Sequence, residues 1–107
     1  MNEVLIANLR AQCGGPRDGA LLRFSLGNAL LAAGDAAGSI PEFRQAVAFD
    51  AGYSAAWKLL GKACLAVDDR TGAAEAWRQG ISVAQARGDK QAEKEMTVFL
   101  RRLEKQD

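Results

Sequence analysis

The sequence predicts an all-α fold of two stacked helical hairpins, with one helix leading them and another closing the array. Three observations carry this. First, sliding the chain back by thirty-four residues places Leu60 on Leu26, Gly61 on Gly27, Ala63 on Ala29, Leu65 on Leu31, Asp69 on Asp35 and Gly72 on Gly38. Nine positions are identical between 20–53 and 54–87, more than unrelated helical sequences share, so the chain contains an internal repeat. Second, apolar residues recur at helical spacing around each central glycine: Leu22, Leu26, Ala29, Leu30 and Ala33 in one copy, and Ala56, Leu60, Ala63, Cys64 and Val67 in the other. Third, each run is followed by a break, Gly34-Asp35 or Asp68-Asp69, and then by a second helical pattern carrying Phe43, Ala46 and Val47, or Trp77, Gly80 and Ile81. A glycine inside a helix costs about 1 kcal/mol against alanine. Gly27 and Gly61 therefore imply close approach of a neighbouring helix.

The second copy, Trp57-x-x-Leu60-Gly61-x-x-Cys64 followed by Ala73-x-x-x-Trp77, resembles the tetratricopeptide repeat, whose pattern is W-x-x-L-G-x-x-Y and then A-x-x-x-F with a period of thirty-four. The first copy matches at Leu26-Gly27-x-x-Leu30, Phe43 and Ala46, but Arg23 stands where an aromatic is expected and Ser39 where a small apolar residue is expected. The closing proline is missing from both, with Ala51 and Gln85 in its place. The resemblance covers residues 20–87 and implies a short, right-handed superhelical segment. It also implies a mode of recognition, not a particular partner.

Taken in order, the chain reads as a single domain over 1–107. The leading helix occupies 2–13, with Leu5, Leu9 and Ile6 facing inward. It is too short to be stable alone and docks on the first hairpin. Gly14-Gly15-Pro16 breaks it. Repeat 1 spans 20–53. Asp18 or Gly19 precedes its first helix, and an aspartate there can accept hydrogen bonds from the free amides of the first turn. Its second helix meets Pro41, which would lie nearly two turns inside if the helix began at Ala36, at a cost of about 3 kcal/mol. A later start, with Ser39 as the cap, Pro41 in the first turn and Glu42 closing a capping box, is favoured over a kink. Repeat 2 spans 54–87 and opens on Ser54 as a cap. After Gly88 a last helix, 89–106, buries Ala92, Met96, Phe99, Leu100 and Leu103. Glu95 stands thirty-four residues beyond Gly61, where a charged side chain prevents another hairpin from packing as before. This helix therefore caps the array.

Composition excludes several classes of function. The net charge is +1 with both signs scattered along the chain, which argues against nucleic-acid binding and against an anionic membrane surface. The start carries an early acidic residue and only a short apolar run, so no signal peptide is expected, nor a membrane span, and a cytoplasmic location follows. Cys13 and Cys64 form no C-x-x-C and read as small hydrophobes of a reducing compartment. There is no histidine, which removes Ser-His, Cys-His and His-metal arrangements together. No phosphate-loop pattern occurs, because Gly61-Lys62 is followed by Ala63 within a helix. Asp35, Asp68 and Asp69 are explained by helix junctions. The expectation is a protein without catalysis, cofactor or metal.

What remains is recognition. Stacked hairpins curve and leave a concave face built mainly from the first helix of each pair. Once packing positions are assigned, the residues left on it are Phe24, Asn28 and Leu31 from the first copy, and Ala55, Lys58, Lys62 and Leu65 from the second. The resemblance implies that such a groove holds another protein's extended peptide or helix, with the lysines meeting carboxylates and Phe24 and Leu31 giving apolar contact. The family's clamp for a chaperone's terminal carboxylate does not carry over: Asn28 fits, while Phe24, Leu59, Asp89 and Glu93 stand where lysine, asparagine and basic residues are expected. Two alternatives stay open. A short solenoid can self-associate as a homodimer with the groove incidental, or bind RNA, although Phe24 against Lys58 and Asn28 against Lys62 give no repeated basic code.

Overall fold

A computed structural model describes residues 2–106. They form six α-helices and, among the described residues, no strand: α1 (Asn2–Gln12), α2 (Ala20–Ala32), α3 (Ala36–Phe49), α4 (Ser54–Ala66), α5 (Arg70–Arg87) and α6 (Lys90–Lys105). Each helix packs on its neighbour in sequence. In addition α2 touches α4 and α4 touches α6, whereas among the described residues α3 and α5 stand farther apart. The array therefore bends toward the α2–α4–α6 layer. Helices added side by side give an elongated body, 40 × 28 × 19 Å.

Three junctions share one construction. Gly34, Asp68 and Gly88 take positive φ values of 88°, 64° and 74°. The next residue, an aspartate each time, then donates its amide to a carbonyl five residues back: Asp35 to Leu30 at 2.9 Å, Asp69 to Cys64 at 2.8 Å and Asp89 to Ala84 at 2.8 Å. These bonds satisfy carbonyls left over at the helix end. The same aspartate caps the following helix, its carboxylate accepting from the amide of Gly38 at 2.8 Å, Gly72 at 2.9 Å and Ala92 at 3.1 Å. One residue thus stops one helix and starts the next, which fixes a short turn at each place. That amide donation, followed by the Ser54 hydroxyl, holds the Asp89 carboxyl below its ordinary range.

The cap at Asp35 corrects the reading of Pro41. Helix α3 starts at Ala36, not at Ser39, and Pro41 lies within it. Ser39 is fully buried and its hydroxyl donates to the Ala36 carbonyl at 2.7 Å, so it is a packed side chain and not a cap. Pro41 is on the exposed side, where the carbonyl that loses its donor, that of Ala37, belongs to an exposed residue. Packing of Phe43, Ala46 and Val47 behind this turn outweighs the local cost. Ser54 likewise does not cap α4: its hydroxyl donates to Asp89 at 2.9 Å, tying the start of α4 to the start of α6. In α1, Ile6 and Leu9 are half-buried, but Leu5 is 49% exposed and faces away from the array.

Asp18 also differs from expectation. Its carboxylate accepts from the amides of Gly14 and Gly19, outside the helix, and forms a two-point pair with Arg23 at 2.8 and 2.9 Å. Arg23 reaches on to Glu42 at 3.0 Å, so the charged residue in the aromatic's place joins α2 to α3 and to the preceding loop. The Arg23 guanidinium, and then the Gly14 amide, hold the Asp18 carboxyl far below its ordinary 3.8.

The larger core cluster runs from Phe43 through Leu60, Cys64 and Trp77 to Met96 and Leu103, and a smaller one gathers Ala46, Val47 and Ala56 between α3 and α4. Gly27 lies against Phe43, and an added Cβ would stand 2.8 Å from the Phe43 Cε1 atom. Gly61 lies against Trp77 in the same way, and Gly80 against Met96 and Trp57. Trp77 is 2% exposed, and its indole N–H donates to the Lys58 carbonyl at 3.1 Å. At the far end Arg70 donates to the Leu103 carbonyl at 3.0 Å, securing the last turn of α6.

Two outcomes follow from these junctions. Asp68 holds a left-handed conformation that its counterpart Gly34 adopts without strain, so Asp68→Gly is expected to stabilise by roughly 0.5–1 kcal/mol in urea unfolding. A loss of stability would show that the Asp68 side chain has a part in the turn. Because the Asp18 carboxyl is depressed in the folded state, its contribution is complete above the ordinary value and is lost as pH falls through the depressed one. Asp18→Asn is accordingly expected to be less stable than the natural chain at neutral pH, with the gap narrowing below about pH 4. A gap independent of pH contradicts this.

Candidate functional site

The layer of α2, α4 and α6 carries the residues that the sequence placed on the concave face, and the structure gives them different surroundings. Phe24 is half-buried, its ring stacked on Tyr53 at 4.9 Å and tilted against Phe43 at 6.0 Å, so most of it joins α2 to α3 and to the loop before α4. Burial, with the Asp50 carboxylate nearby, pushes the Tyr53 hydroxyl up. Asn28 is exposed, Leu31 is half-buried against the core cluster and Ala55 is half-buried. The Lys58 ammonium lies 3.5 Å from both carboxylate oxygens of Glu95 on α6. Lys62, one turn on, stands exposed with its ammonium 4.8 Å above the Phe99 ring. Leu65 is 39% exposed.

Lys62 and Leu65 come together at a cleft of about 400 Å³ between α4 and α6. Trp77 from α5 contributes to its lining, and Phe99, Arg102 and Leu103 line it from α6. The other expected residues are elsewhere. Phe99 and Leu103 read in the sequence as packing residues of a cap, and nothing singled out Arg102. Their spacing on one helix face is visible in the sequence, but the facing of α6 to α4 is not. Helix α5 runs to Arg87, eighteen residues against fourteen in α3, so α6 begins at Lys90 and leaves the thirty-four-residue register. Glu95 consequently meets Lys58 in place of a core.

The chemistry within reach is that of contact. Burial pushes the Cys64 thiol above its ordinary 9.0, which keeps it protonated at neutral pH and unreactive. Among the described residues no group of histidine, cysteine or acidic side chains is arranged to hold a metal ion. Among the same residues no helix is long and apolar enough to cross a membrane.

Hairpins repeated at a fixed period, each closed by a glycine against an aromatic, and adjacent first helices bordering an apolar cleft, define a helical-repeat protein. No protein-family model matches the chain. It is 56% identical over 88 residues to TPR repeat-containing protein PA0015 of Pseudomonas aeruginosa, a match covering 82% of this chain and 84% of that one. Its fold is similar to the solution structure of protein BPP2914 from Bordetella parapertussis, with a TM-score of 0.81 and 43% identity over 95% of this chain and 89% of that one. The chain belongs to the tetratricopeptide repeat family.

Proposed function

We propose that the chain is a non-catalytic protein-binding module, an adaptor, scaffold or assembly factor, that receives a peptide or helix of a partner protein along the α2–α4–α6 layer. The observation that carries this is the α4–α6 cleft, where Leu65 remains 39% exposed beside Phe99 and Trp77. Partly exposed apolar side chains gathered in a concavity mark a surface built to be covered. Membership of a repeat family used for protein recognition agrees with it. Two free thiols, Cys13 and Cys64, suit a reducing compartment, and we place the protein in the cytoplasm.

A photo-crosslinking amino acid at position 65, compared with the same group at exposed position 45 on α3, tests the reading in living cells. The expected outcome is an adduct with another protein from position 65 and none from position 45. Adducts with a second copy of the chain alone would replace the proposal with self-association, and adducts from position 45 alone would move binding to the opposite face.

A further inference from the structure

The α4–α6 cleft has an uneven charge. Its apolar surface is supplied by Leu65, Trp77, Phe99 and Leu103, while its charged members are Lys62 on one wall and Arg102 on the other. No carboxylate lines it. Among the described residues neither Lys62 nor Arg102 has an ion-pair partner, although nearby cations do: Lys58 on α4 holds Glu95, and Arg78 on α5 holds Glu104. The Lys62 ammonium is instead parked over the Phe99 ring at 4.8 Å, a weak contact at an exposed site that an anion can replace.

Resting on the protein-binding reading above, we infer that the partner segment docked here is an acidic peptide carrying a bulky apolar side chain, with the side chain seated against Phe99, Leu103 and Trp77 and the flanking carboxylates meeting Lys62 and Arg102. A basic segment would bring like charges onto both walls, where repulsion selects against it. A neutral apolar segment would fill the floor and leave both cations unmatched. Arginine at one wall offers a planar two-point contact to a carboxylate, and lysine at the other a mobile point charge, so register along the peptide is set mainly by Arg102. The determinants differ in position from those of the chaperone-carboxylate clamp, whose expected places here hold Phe24, Leu59, Asp89 and Glu93.

Selection of a displayed random nonapeptide library on the full chain tests this, followed by fluorescence anisotropy with synthetic copies of the enriched peptides. Enriched sequences are expected to place Asp or Glu beside Leu, Ile, Phe or Trp. Arg102→Glu is expected to weaken them by about tenfold or more, and Lys62→Gln by less. Replacing the peptide's acidic residue with lysine is expected to restore binding to Arg102→Glu, a charge-swap rescue that a damaged fold would not give. Enrichment of basic or uncharged peptides, affinity indifferent to Arg102→Glu, or no enrichment at all would overturn the inference. Crosslinking at position 65 to another protein would still stand in those cases, so failure of the chemistry proposed here is separable from failure of the protein-binding role.

Discussion

Each hairpin closes because its first helix carries a glycine where the second helix lays an aromatic ring against the backbone, Gly27 under Phe43 and Gly61 under Trp77. The two rings are thirty-four residues apart, as are the two glycines. A helical glycine costs about 1 kcal/mol relative to alanine, whereas full burial of one large apolar side chain returns about 1.5–3 kcal/mol. Ring and glycine therefore favour the packed hairpin together and neither does so alone. The Trp77 N–H bond to the Lys58 carbonyl adds direction to this contact, because it allows one orientation of the indole. Helix separation, and through it the position of every residue in the α2–α4–α6 layer, depends on this approach.

The junctions convert that pairing into an array. Asp35, Asp69 and Asp89 each end one helix and cap the next, so each turn is held by hydrogen bonds at both ends. With little freedom in these turns, α4 and α6 come side by side and the cleft between them is part of the fold. Lys58 with Glu95 and Ser54 with Asp89 span the same two helices and hold the walls in place.

Much of the architecture was legible because its causes are local and repeated. Glycine and aromatic spacing gave the hairpins, and Gly-Asp or Asp-Asp breaks gave the turns. Pro41 was misread because its local cost is plain in the sequence, while the opposing cause is the burial of Ser39 and Phe43 behind it, a tertiary effect. The orientation of Leu5 on α1 was misread for a related reason: a single short amphipathic helix does not say which of two adjacent apolar positions meets its neighbour. Of the residues that repeat positions placed on the groove, Lys62 and Leu65 border the α4–α6 cleft, whereas Lys58 is engaged by Glu95 and Phe24 is mostly committed to the aromatic contacts with Tyr53 and Phe43. Phe99 was read only as a packing residue and Arg102 was not singled out, because the longer α5 takes α6 out of register and no period relates these residues to the earlier helices.

The glycine–aromatic contact is tested most directly by a double-mutant cycle in urea, with Gly61→Ala made in the natural chain and again beside Trp77→Leu. Alanine at 61 is expected to cost about 1–3 kcal/mol against tryptophan, through overpacking. Against leucine it is expected to be neutral or to stabilise by up to about 1 kcal/mol, as helix propensity alone dictates. An equal effect of Gly61→Ala in both backgrounds would contradict the account, since Gly61 and Trp77 would then contribute independently and the hairpin's spacing would have another cause.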